Sequence, residues 1–367
     1  MKANLESPAV LKAVVTKSKA RPSDEWVLLS GLRFFLASAV LCGHCRYLIP
    51  KITAAPKLIW IGAFLGGPPS VYGFFLVSGY SIAASIQKEP HGFYLRRMAR
   101  ICPVYLSCFI VALAAFAIVG SPIKMEFGVS ISFDDRWWVI CLNAIGLPCI
   151  FAAAIGTFGP SWSLTCEIIY YLVAPPLKLC SSRLVLALVF VSFGCFVYHH
   201  ENDWAALLWG QTVIGLAGFW LAGFLFYRHR ANPLAGPLFV GGILAVYTMN
   251  WNSSEPYAGI NLSVSVLAIA YATHIHLPKN VGRILTYLGE ISYPLYLVHF
   301  PLYIIIFGCF HDFLEPHPRS IVIYPAAAII ASILIYHVID RPARKFILET
   351  FGVRRPLATM HRPVKQA

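Results

Sequence analysis

Val27-Leu28-Leu29-Ser30-Gly31-Leu32-Arg33-Phe34-Phe35-Leu36-Ala37-Ser38-Ala39-Val40-Leu41-Cys42-Gly43-His44-Cys45 is apolar except for two serines, one arginine and, near its end, one histidine. Its length is close to the roughly 20 residues a helix needs to cross a bilayer. Comparable runs follow at 59–86, 101–120, 161–178, 184–198, 206–227, 236–250, 259–275, 285–309 and 320–339, which makes ten. The 367-residue chain is 58% hydrophobic and 12% charged, where soluble chains carry roughly 25% charged residues. Mean hydropathy is +0.68. A chain of 40.7 kDa cannot hide ten such runs in one water-soluble core. The expected fold is therefore all-α: a polytopic integral membrane protein with about ten transmembrane helices.

Charge distribution sets the expected orientation. Residues 137–153 are also apolar, but Asn143, Pro148 and the lack of flanking charge mark a re-entrant or interfacial stretch. With ten spans and a cytoplasmic N-terminus, 22 lysines and arginines fall on the cytoplasmic side. The other face receives Arg46, Lys51, Lys57, Lys124, Arg136 and Arg319, as the positive-inside rule asks. Both termini are then cytoplasmic. The expected organisation is a polar segment over 1–26, a membrane domain over 27–345 and a basic tail over 346–367. Lys12, Lys17, Lys19 and Arg21 precede the first run, and no small-residue cleavage pattern follows it, so it reads as a signal anchor. The net charge of +13 is spread over short loops, which speaks for topogenic charge and against nucleic acid. The ten cysteines show no repeating spacing, and Cys102, Cys108, Cys141, Cys180 and Cys309 sit in or beside apolar runs as packing residues. Cys42 and Cys45 flank His44 like half a metal motif, but no second pair completes it, so no metal is expected.

Polar residues inside apolar runs carry the functional signal, because each costs several kcal/mol in lipid unless it faces protein, water or a ligand. Arg33 and His44 are eleven residues apart, about three helical turns, so they share a face and can line one cavity. His44 is either a hydrogen-bonded interface residue or a general base, a role that an unperturbed pKa near 6.5 suits. In the second run, Ser78-Gly79 offers a hydroxyl beside a residue that permits close helix packing. Arg97 and Arg100 are one turn apart. They are either topogenic or a clamp for phosphates, which paired guanidiniums grip bidentately. Ser163, Glu167 and Tyr171, spaced four apart after Trp162, share a face, with Glu167 either structural or active at an acceptor hydroxyl. Tyr296 and His299 point inward from a run containing Pro294 and Pro301.

Together these motifs resemble the integral membrane acyltransferase 3 family. They are Leu32-Arg33 with an apolar run to His44, Phe74-Phe75 with Ser78-Gly79, and Leu95-Arg96-Arg97 through Arg100-Ile101, Pro103 and Tyr105. Trp162-Ser163-Leu164 with Glu167 and Ile291-Ser292-Tyr293 through His299 complete the set, in the family's order over roughly 27–345. The resemblance implies a bacterial inner-membrane O-acetyltransferase that moves an acetyl group from cytoplasmic acetyl-CoA to a carbohydrate or lipid-linked carbohydrate hydroxyl. Membrane lipids and glycan-assembly proteins are the implied partners. It also implies His44 as the essential histidine, Arg33 as its paired arginine, and Arg97 and Arg100 near the CoA. Glu167 matches the first glutamate of a Trp-Ser-x-x-x-Glu-Glu pattern whose second position is Ile168 here, and Asp340-Arg341-Pro342 resembles a Glu-x-Pro ending. Longer members carry a hydrolase-like domain after the spans. Only 27 residues follow Asp340, so transfer is expected to be completed by the membrane unit or by another protein. The compact form is similar to acyltransferases of lipo-oligosaccharides, nodulation signals included. Direct transfer and an acyl-histidine relay both remain open.

Two other classes compete. A transporter or flippase for a sugar-lipid or small molecule also needs intramembrane polar residues, but should show paired repeats with broken helices, and none is found. A structural membrane component does not account for four separate polar clusters.

Overall fold

The computed structural model describes residues 23–48, 67–124, 130–199, 207–249, 259–314 and 322–353. The lysines and arginines expected in the N-terminal segment, Lys51, Lys57, Arg319, the start of the run at 59–86 and the tail beyond 353 lie outside the described residues. The regular structure of the described residues is helical, mostly α with short 3₁₀ turns at Gly156–Phe158 and Ala272–His274, apart from one two-residue antiparallel pair, β1 (Ile123–Lys124) and β2 (Ser130–Ile131), with Ile123 opposite Ile131. In order, the helices are α1 (Asp24–Leu48), α2 (Pro68–Lys88), α3 (Phe93–Val119), α4 (Trp137–Ala144), α5 (Ser161–Leu179) and α6 (Ser182–Tyr198). They continue with α7 (Gln211–His229), α8 (Ala235–Met249), α9 (Gly259–Tyr271), α10 (Lys279–Leu314), α11 (Ile323–Ile335) and α12 (Arg341–Thr350), the last two joined by a π-helical turn (Tyr336–Asp340).

Among these, α1, α2, α3, α10 and the continuous stretch from α11 through α12 are long and apolar enough to cross a membrane, and α6, α8 and α9 are shorter apolar helices. Large apolar side chains stand exposed on several of them, including Ile110, Phe190, Val191, Leu238, Ile330 and Leu334. A soluble protein does not tolerate such a surface; hydrocarbon does. The chain is a polytopic membrane protein.

Close packing builds the centre. A Cβ placed on Gly79 of α2 would lie 1.9 Å from the Trp220 carbonyl oxygen of α7, and one on Gly223 of α7 would lie 2.2 Å from the Leu76 carbonyl oxygen of α2. The two glycines let the backbones cross in contact, which gives Gly79 the packing role expected of it. On another side of α2, Asn261 of α9 donates through its amide nitrogen to Ser70 at 3.1 Å, both residues buried.

Helix boundaries differ from the apolar runs in informative ways. The basic stretch before residue 101 is not a loop. It forms the first two turns of α3, and Arg96 explains why: buried, it donates to the carbonyls of His91 and of Glu89, the latter at 2.5 Å, tying the α2–α3 turn to the new helix. The run at 206–227 becomes helical only at Gln211. The stretch at 137–153 gives the eight-residue α4, about 12 Å long and too short to span. Buried Asn143 fastens it, donating to Ala153 O at 3.1 Å and accepting from Ile155 N at 3.1 Å, while Tyr105 of α3 donates to the Asn143 carbonyl.

Candidate active site

The site grows from one face of α2. Ser78, Ser81 and Ser85 are spaced three and four residues apart, so their hydroxyls align. Each meets a charged residue from a different helix. Arg33 of α1 donates to Ser81 Oγ at 2.6 Å, Arg97 of α3 donates to Ser85 Oγ at 2.8 Å, and Ser78 Oγ donates to Glu167 Oε1 of α5 at 2.9 Å. The Tyr171 hydroxyl donates to the same Glu167 oxygen. The Arg97 guanidinium also lies over the rings of Phe93 and Tyr171, at 5.5 and 5.8 Å, where a cation is attracted by the ring face.

These side chains surround a cavity of about 180 Å³. Of the expected site residues, Arg33, Ser78, Arg97, Arg100, Ser163, Glu167, Tyr171 and Tyr296 line it. Three guanidiniums face one carboxylate, so the interior is net cationic and suited to an anion. Glu290 and Asp340 act electrostatically on Arg100 from outside this lining. They share Arg344, which bonds Glu290 at 2.7 Å and Asp340 at 2.8 Å.

Tyr296 connects the cavity to a second polar centre. Its hydroxyl lies 2.6 Å from Ser163 Oγ, Phe74 packs edge-on at 5.5 Å between ring centroids, and His299 lies 6.1 Å away by the same measure. His299 is fully buried, and its Nε2 lies 2.9 Å from His44 Nδ1. The eleven residues between Arg33 and His44 place them at different levels of α1, and half-buried His44 packs against two rings, His299 stacked at 5.1 Å and Phe300 edge-on at 5.0 Å. The lining of this cavity includes Arg33 and does not include His44, His299 or Trp162, so the pairing expected of Arg33 and His44 is not made in it. Trp162 packs half-buried against the core.

Ser81, Ser85, Ser292, Tyr293 and the Glu290–Arg344–Asp340 group were not predicted as site residues. The serine spacing on α2 was available as a signal. Asp340 had a signal, its place in the Asp340-Arg341-Pro342 ending and its spacing of four from Arg344, whereas Glu290 lies 54 residues from Arg344 and sequence spacing does not bring the two together. Among the described residues, no group of three or more His, Cys, Asp or Glu side chains could hold a metal ion, and Cys45 bonds the Tyr303 hydroxyl at 3.2 Å.

The family model of an acyltransferase domain matches residues 27–337. The acyltransferase MdmB of Streptomyces mycarofaciens is 30% identical over 157 residues, which cover 40% of this chain and 38% of that protein. Two Staphylococcus aureus proteins named as proposed O-acetyltransferases, SACOL0978 of strain COL and SAS0844 of strain MSSA476, are each 24% identical over 334 residues. That match covers 78% of this chain and 54% of theirs. The chain thus spans about half the length, or less, of these curated relatives. No solved structure matches it.

Proposed function

The chain belongs to the acyltransferase 3 family, and from that premise we propose that it is an O-acetyltransferase carrying an acetyl group from cytoplasmic acetyl-CoA to a carbohydrate hydroxyl. The observation that supports this reading most directly is the cationic cavity, where Arg33 and Arg97 are held by serines of one helix face and Arg100 completes the lining. A CoA carries several phosphate charges, and guanidiniums pair with phosphate oxygens through strong charge-assisted bonds. In this reading Arg33, Arg97 and Arg100 bind the phosphates of the donor, Glu167, held by Ser78 and Tyr171, limits the cavity's positive charge, and the thioester follows a path past Tyr296 toward His44.

His44 is the base. It takes the proton of the acceptor hydroxyl as that oxygen bonds to the thioester carbonyl carbon. The carbon–sulfur bond then breaks, and the CoA thiolate leaves with a proton from the imidazolium. Ten spans with both termini cytoplasmic, in a bacterial cytoplasmic membrane, bring donor and acceptor to opposite ends of this path. The acceptor class is a surface polysaccharide, exopolysaccharide or lipo-oligosaccharide, including nodulation-signal molecules, supplied by glycan-assembly partners. The test uses membrane vesicles given labelled acetyl-CoA and candidate glycans. Wild type labels the glycan and His44→Ala, at equal membrane abundance, does not; label transferred by the variant sinks the assignment.

A further inference from the structure

We propose that His299 is a positioning residue that fixes His44 in the tautomer protonated at Nδ1, so that Nε2 of His44 is the nitrogen that takes the acceptor proton. This rests on His44 being the base. The chain of hydrogen bonds sets the tautomers one after another. A backbone carbonyl can only accept, and the Leu295 carbonyl oxygen lies 3.1 Å from His299 Nδ1, so Nδ1 carries the hydrogen. A neutral His299 then presents a lone pair at Nε2, and the partner 2.9 Å away, His44 Nδ1, must donate to it. His44, protonated at Nδ1, keeps Nε2 unprotonated.

Both alternatives cost more. Moving the hydrogen to His299 Nε2 in the neutral ring sets an unprotonated Nδ1 against the Leu295 oxygen, lone pair against lone pair. Protonating both nitrogens places a cation in a site with no exposure, which burial penalises heavily. The surroundings also hold the rings. Tyr303 packs edge-on against His299 at 5.7 Å, Phe300 edge-on against His44 at 5.0 Å, and Tyr303 is tied to Cys45 at 3.2 Å. α1 and α10 therefore present the imidazole pair as a rigid unit. When His44 becomes an imidazolium, its Nδ1–H still points at the His299 lone pair, so the developing charge meets an acceptor already in place.

The experiment has a spectroscopic arm and a kinetic arm. In wild-type protein labelled with ¹⁵N-histidine in lipid nanodiscs, the His44 signals, assigned by their loss in His44→Gln, are expected to show a protonated Nδ1 and an unprotonated Nε2. A protonated Nε2 in wild type overturns the proposal. In the kinetic arm, His299→Gln offers an amide oxygen near the position of Nε2 and is expected to keep kcat within a few fold of wild type. His299→Phe, similar in shape but without an acceptor, is expected to lower kcat roughly 100-fold, as loss of a well-set general base does, with KM for acetyl-CoA unchanged. Wild-type kcat in His299→Phe overturns the proposal. If His299→Phe does not yield monodisperse protein, the wild-type tautomer decides alone. Transfer retained by His44→Ala overturns the base assignment itself, and is recognised because the wild-type tautomer signal stays as expected.

Discussion

In the proposed reading the charged residues of the cavity divide into those that bind and those that set the field, and kinetics can separate the two. Arg97 and Arg100 both line it, and a hydrogen bond to a charged group is worth about 1.5–3 kcal/mol. Replacing both with Gln is therefore expected to raise KM for acetyl-CoA by roughly 10-fold or more, since each 1.4 kcal/mol is tenfold. An unchanged KM makes them topogenic only. Glu167→Gln keeps an oxygen for Ser78 and Tyr171 to donate to but removes the cavity's negative charge. An anionic donor should bind more tightly, so KM is expected to fall while kcat drops roughly tenfold or more; a raised KM contradicts the field argument. Arg33 and Glu167 were legible in the sequence because charge inside an apolar run is costly enough to demand a reason, and Arg97 and Arg100 because they stand one helical turn apart. Ser81 and Ser85 were not singled out, because a serine in a helix can satisfy itself on its own backbone at little cost.

At the scale of helices, each of the ten apolar runs contains a helix, and the short helix α4 occupies the stretch read as interfacial. Hydrophobic length carries that information well. It says little about where a helix starts, because the polar first turns of α3 are held by Arg96 bonding the preceding turn, a tertiary feature invisible to hydropathy. It says nothing of which helices touch. The α2–α7 crossing depends on Gly79 and Gly223, where an added Cβ meets backbone that cannot step aside. Gly79→Leu is expected to cost about 3 kcal/mol or more, at the upper end of overpacking penalties. Because the same helix carries Ser78 and Ser81, the loss should appear twice, as a lower unfolding temperature in detergent and as lower transfer activity in intact membranes. A Gly79→Leu protein with wild-type thermal stability rejects the contact as a determinant of the fold.

For the whole molecule, the proposed orientation rests on charge more than on packing. The proposed arrangement puts 22 lysines and arginines on the cytoplasmic side and six on the other, and residues such as Arg228 and Arg230 sit where α7 ends, Arg228 bonding the Leu177 and Cys180 carbonyls at the end of α5. The ends of α5 and α7 thus meet, which agrees with the two crossings that the proposed arrangement sets between them. Retaining a guanidinium on the cytoplasmic side is favoured both by the rules of insertion and by the carbonyls left unpaired where a helix stops. Alkaline phosphatase inserted into the 121–136 loop is accordingly expected to be active, because that loop is placed outside. The same reporter at 231–234, or after Ala367, is expected to be inactive, and a fluorescent reporter at those two positions to fluoresce. An active phosphatase after Ala367, with the other two results as expected, means an odd number of crossings between α7 and the C-terminus. That result would place Arg341, Arg344 and Lys345 outside and break the proposed topology on its C-terminal side.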